Sequence, residues 1–173
     1  NTMSKKRNKG LRLRRDIKHI CWDGCGFSAD IMLNPATWNA VLKEMVLVRR
    51  GLIERGVEGA EQLELHLSLW PFIFQAQAID LDTCLGLITA AEFEGERFDG
   101  VDIFVDEAHL ALDADYQAIA AFAEKIRSRG LVVGDIVAPA WGFKKGGPAM
   151  TEDGAKKFLR AFEVTCQIAQ VFE

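Results

Sequence analysis

Apolar residues along the chain follow two alternating rhythms. Four short stretches, 17–22 (IKHICW), 63–70 (LELHLSLW), 101–105 (VDIFV) and 131–138 (LVVGDIVA), read as buried strands. After each, apolar residues recur at three- and four-residue spacing, the period of a helix with one buried face. The first helix starts at Asn34 and Pro35, an N-cap followed by a proline at the first helical position. It runs through Trp38, Val41, Leu42, Met45 and Leu52 to a stop at Gly56. The second is capped by Asp80 or Asp82 and holds Leu85, Ile88 and Phe93. The third opens at Asp113, carries Ile119, Phe122, Ala123 and Ile126, and closes on Arg127, Arg129 and Gly130, a C-terminal signal. The fourth starts at Thr151 and holds Phe158, Leu159, Phe162 and Ile168, with the chain ending inside it. The order βαβαβαβα belongs to parallel strands joined by helical crossovers, which sets the class as α/β.

Two architectures fit that order: an open doubly wound sheet, and half of an eight-fold (β/α) barrel, which normally takes about 250 residues when whole. Neither GxGxxG nor GxxxxGK[ST] occurs, so the phosphate-cradling signature of nucleotide-binding open sheets is missing. Alternation favours the barrel. Leu65, Leu67 and Leu69 share one strand face, and Glu64, His66, Ser68 and Trp70 share the other. Val101, Ile103 and Val105 oppose Asp102, Phe104 and Asp106 in the same way. A strand of an open α/β sheet is apolar on both faces, whereas a polar second face suits a barrel interior. Asp135 stands alone in an otherwise apolar strand.

At 173 residues the chain suits one domain. With 49% hydrophobic and 27% charged residues, disordered and fibrous classes are excluded. There is no run of eighteen uncharged apolar residues, so no membrane span is expected. The basic N-terminal stretch is not followed by an apolar one, so no secretory signal is expected either. A net charge of −4 argues against a general nucleic-acid binder. Residues 1–15 nevertheless concentrate seven bases and no acids. Residues 1–16 therefore read as a basic arm, a solubilising tail or a docking segment for nucleic acid or an acidic surface. Residues 17–173 read as a single domain. The four cysteines, Cys21, Cys25, Cys84 and Cys166, contain no CxxC pair, and only three histidines exist. That pattern gives no structural-zinc signature and fits thiols in a reducing cytoplasm, the expected location.

The stretches KHICWDGC (18–25) and NPATWNAVLKEMVLVR (34–49) resemble the last strand and helix of the xylose-isomerase-like TIM barrels. These include sugar isomerases and sugar-phosphate epimerases. LELHLSLWPF (63–72) resembles the first strand of such a barrel, and FDGVDIFVD (98–106) the second. GLVVGDIVAPAWG (130–142), followed by GGPAM, resembles the third. The resemblance implies a partial (β/α) barrel of four βα units in the order strand eight, one, two, three. Two open sheet edges and an uncovered helix layer would then be closed by a second copy or a complementary barrel half. The implied function is that of a partial or permuted sugar isomerase or epimerase, acting on a small sugar and dependent on Mn²⁺ or Mg²⁺ once completed. The segments that supply most of the family's metal ligands have no match here. An inactive, self-associating half-barrel scaffold is therefore the alternative, and a subunit similar to C-glycoside-cleaving enzymes is a further one.

Within that frame the resemblance matches Asp23 to a position where the family's last strand can offer a metal-binding carboxylate, while an Asp-Gly turn is the competing reading. His66, mid-strand on the polar face, is a candidate for proton transfer or substrate binding; its competing role is a core histidine bonded to a neighbour. His19, also mid-strand, reads as structural. Asp106, in a loop with Glu107 and His109, is the second catalytic candidate, against a solvated loop charge. Trp70 and Trp141 offer platforms for the apolar faces of a sugar. Lys144, beside Lys145 in a glycine-rich loop, offers an anchor for phosphate or carboxylate. Cys21 and Cys25 read as packing residues.

Overall fold

The computed structural model describes residues 19–22, 28–73, 77–139 and 151–172. In chain order its elements are β1 (His19–Trp22), α1 (Ala29–Met32), α2 (Pro35–Glu54), β2 (Glu64–Ser68), α3 (Trp70–Ile73), α4 (Leu81–Ala90), β3 (Gly100–Phe104), α5 (Tyr116–Arg127), β4 (Val132–Val137) and α6 (Glu152–Ala169). The strands form one parallel sheet in the order β1-β2-β3-β4. Each strand pairs with its predecessor, so the described sheet lacks the order reversal that marks a doubly wound fold.

Most helix starts follow the capping chemistry of the sequence. Asn34 Oδ1 accepts the Ala36 N–H at 3.0 Å, with Pro35 in the first turn. The Asp80 carboxylate accepts the Thr83 N–H at 2.9 Å and the Thr83 hydroxyl at 2.6 Å. The Thr151 hydroxyl accepts the Gly154 N–H at 3.0 Å. One expected start is displaced. Asp115, not Asp113, caps α5, its Oδ1 accepting the Ala118 N–H at 2.8 Å. The Ala114 N–H donates to Ala111 O and closes a turn that holds Asp113 ahead of the helix. Gly56 and Gly130 follow α2 and α5 with φ of 68° and 75°, a left-handed stop that glycine adopts without steric cost. Trp70 begins α3 rather than ending β2, and α6 closes at Ala169, short of the chain's end.

The apolar faces of the strands build one core. Ile20 and Trp22, Leu65 and Leu67, Val101 and Ile103, and Val133 and Ile136 meet Leu42 of α2, Leu85 of α4, Phe122 of α5 and Ile168 of α6 in a single cluster. All four long helices therefore cover the same side of the sheet. Full burial of each such aliphatic side chain is worth about 1.5–3 kcal/mol. Trp38 is fully buried there, its Nε1 donating to Met32 O at 2.8 Å and its ring lying between Trp22 and Phe72. No helix among the described residues is long and apolar enough to cross a membrane.

The other side of the sheet carries His19 and Cys21, then Glu64, His66 and Ser68, then Gly100, Asp102 and Phe104. An irregularity adds a residue from β4. Val101 pairs with Val133, but Ile103 pairs with Ile136, leaving one extra residue in β4 opposite Asp102. Strict alternation would place Asp135 with Val133 on the helix side. The extra residue turns it to the polar side instead.

Candidate metal and proton-transfer site

Five ionisable side chains from four strands converge on the polar face. His66 lies at the centre with no exposed surface. Its Nδ1 donates to Asp102 Oδ1 and its Nε2 to Glu64 Oε2, both at 3.1 Å. The His19 ring stacks on it, with centroids 4.3 Å apart and planes 14° from parallel. His19 Nε2 lies 3.4 Å from Asp102 Oδ2 and 3.4 Å from Asp135 Oδ2. Asp102 is the hub of the group. Besides the two histidines, its Oδ1 accepts the Asp135 N–H at 3.0 Å, and the Cys21 thiol donates to its carboxylate.

This convergence requires a curled sheet. Strands three positions apart are about 14 Å from one another when a sheet is flat. Histidine and aspartate side chains reach roughly 4.5 and 3.5 Å from their Cα atoms, so His19 on β1 and Asp135 on β4 cannot come to 3.4 Å across a flat surface. The sheet is concave on the polar side. Two glycines make room at the bottom of the hollow. A Cβ on Gly100 would meet His66 Nε2 at 2.6 Å, and one on Gly134 would overlap His66 Nδ1 and lie 2.7 Å from Asp102 Oδ1.

Burial disfavours charge on His66, but the hydrogen bonds and fields of Asp102 and Glu64 outweigh it and raise its pKa above the usual imidazole value. For Asp102, burial likewise works against ionisation. The bonds from His66 and Cys21, the nearby His19 and the Asp135 N–H prevail and hold its pKa below the usual carboxylate value. Both shifts favour the charged form of the His66 ring, held between the Asp102 and Glu64 side chains. His19, His66 and Asp102 each present one ligand atom within 4.8 Å of the others, so the three can hold a metal ion.

The residues singled out by sequence are distributed unevenly around this group. His66 is its centre. Asp106 stands apart, its Oδ1 accepting the Ala108 N–H at 3.0 Å while its carbonyl takes the Leu110 N–H, so it shapes a turn beyond β3. In the same loop, His109 turns its Nε2 to Ile79 O at 2.7 Å, and burial lowers its pKa. Trp70 packs edge-on against Phe104, with ring centroids 4.0 Å apart. Asp23, Trp141 and Lys144 lie outside the described residues, as does the basic arm. His19, Glu64, Asp102 and Asp135 are the members that sequence reasoning did not single out as site residues. Two signals pointed to Asp102 and Asp135: the polar parity of β3 and the lone acid in β4. No family model, curated protein or solved structure matches the chain.

Proposed function

We propose that the chain supplies the cation-binding and proton-transferring face of a partial (β/α) barrel of the sugar isomerase or epimerase type. In this reading the strands correspond to strands eight, one, two and three of that barrel, and a second copy or complementary half closes it. One observation carries the proposal: the His19, His66 and Asp102 ligand atoms gather within 4.8 Å on the single polar face of a parallel sheet. The consecutive strand order, the one-sided helix layer and the concave curl support the barrel half of the reading. The xylose-isomerase-like motifs support the sugar half.

A divalent cation at such a site polarises a carbonyl and its neighbouring hydroxyl. The family implies Mn²⁺ or Mg²⁺, for which Asp102, Glu64 and Asp135 offer oxygen donors. Glu64 is half exposed at 48% and bonded to His66. In this reading it takes a proton from one substrate carbon and returns it to the next.

The test is solvent deuterium incorporation into aldoses and ketoses, followed by NMR with the chain and each divalent cation. Exchange that Asp102→Asn abolishes supports the proposal. Cation binding with neither solvent exchange nor interconversion of any aldose and its ketose overturns the isomerase reading. A second reading then takes its place, the inactive half-barrel scaffold. It is favoured by the cluster's position at mid-strand, away from the carboxyl ends where barrel chemistry sits, and by the carboxylate partner already present on each nitrogen of His66.

A further inference from the structure

The donor set of the cluster is not that of a purely oxygen-ligated cation. Cys21 follows His19 by two residues on β1, so both occupy one face of the strand. In the sheet register Cys21 stands directly across from His66. Its thiol already donates to Asp102. The ligand atoms of two imidazoles and one carboxylate lie within 4.8 Å of one another, and the Cys21 thiol borders that group through its bond to Asp102. We propose that the cluster binds zinc, with Cys21 as the fourth ligand beside His19, His66 and Asp102. The inference rests on the cation-binding reading above and narrows it to one class of ion.

Three chemical arguments carry the choice. Imidazole and thiolate donors select zinc over Mn²⁺ and Mg²⁺, which prefer carboxylate, carbonyl and water. A set of Cys, His and Asp donors in four-fold coordination is a regular zinc environment. The Cys21 thiolate and the Asp102 carboxylate together match the charge of the ion. Glu64 supplies the outer support. It holds His66 Nε2 at 3.1 Å, which fixes the ring and leaves Nδ1 to the metal, the arrangement in which a carboxylate orients a zinc-bound histidine. Zinc binding replaces the protons now shared among His66 Nδ1, Cys21 and Asp102 and releases them to solvent. The site is not legible in the linear chain because the ligands do not sit in a CxxC or HxxxH run. Sheet pairing and curl bring them together.

The experiment titrates the full chelator-treated chain with Co²⁺ and then Zn²⁺, followed by absorption. The expected spectrum has intense visible bands of a four-coordinate site and a near-ultraviolet thiolate-to-cobalt band, both erased by one equivalent of zinc. Cys21→Ser removes the near-ultraviolet band, and Cys166→Ser keeps it. Glu64→Gln retains the band but weakens zinc binding about 10–100-fold. In the unaltered chain, zinc protects Cys21 from alkylation while labelling of the exposed Cys166 is unchanged. Cobalt binding without a thiolate band, a band that survives Cys21→Ser, or Cys21 alkylation indifferent to zinc overturns the zinc assignment and leaves the broader cation site standing. Failure to bind Co²⁺, Zn²⁺, Mn²⁺ and Mg²⁺ alike, measured by calorimetry, overturns both.

Discussion

Replacing Asp102 with asparagine keeps the shape of the hub and removes its charge. The side chain is 7% exposed and faces a fully buried His66. It accepts from His66 at 3.1 Å and from the Asp135 N–H at 3.0 Å. Removing one partner of a buried ion pair costs about 3–5 kcal/mol. Here the amide oxygen still serves the Asp135 N–H and Glu64 still faces His66, so the expected loss is at the lower end, about 3 kcal/mol. At roughly 2–4 °C per kcal/mol for a domain of this size, Tm falls by about 6–12 °C. The assay is urea unfolding of both chains with chelator present, repeated across pH. The pKa of His66 is raised, so its contribution is complete below 6.5 and fades as pH rises through the raised value. The pKa of Asp102 is lowered, so its contribution is complete above 3.8 and fades as pH falls through the lowered value. The gap between the two chains is therefore widest from about pH 4 to pH 6.5 and narrows on both sides. A loss below about 1 kcal/mol, or a gap that does not narrow as pH rises, would refute the buried-imidazolium argument.

Other expectations follow from the same geometry. Gly134→Ala pushes a methyl into His66 and Asp102 and should cost about 1–3 kcal/mol in chemical denaturation. Gly86→Ala, on the open side of α4 with nothing within 4 Å, should instead stabilise by up to about 1 kcal/mol. Asp80→Ala removes the cap of α4 and should cost about 1 kcal/mol, visible as a shift in the urea midpoint. The lowered pKa of His109 favours its neutral form in the folded chain, so stability falls as pH drops from 6.5 through the lowered folded value. His109→Gln, which keeps a donor toward Ile79 O, should flatten that acid limb in unfolding measured from pH 7 to pH 5.

Local rules made much of the fold legible. Asn34-Pro35, Asp80 and Thr151 start helices where capping chemistry places them, and the alternation through 63–70 separates Leu65 and Leu67 from Glu64 and His66. What escaped was set by tertiary pairing. Asp113 and Asp115 are equally good caps in isolation, and only the turn closed by Ala114 decides between them. Alternation assigns Asp135 to the wrong face because it knows nothing of the extra residue opposite Asp102. His66 stood out as a mid-strand polar residue, and its competing reading as a histidine bonded to a neighbour described its contacts well. Its partners were invisible for a different reason. His19 and Asp135 are distant in sequence and three strands apart, and only a curled sheet brings them together. Barrels usually work at the strand ends, where Asp106 lies; here the charged group gathers around His66 and Asp102 at mid-strand.

Native mass spectrometry of the chain titrated with divalent cation tests most directly whether the polar face is a metal site. The account predicts one ion retained per chain and none in a His66→Asn, Asp102→Asn double variant. Equal retention by both chains, or no retention by either, would contradict it.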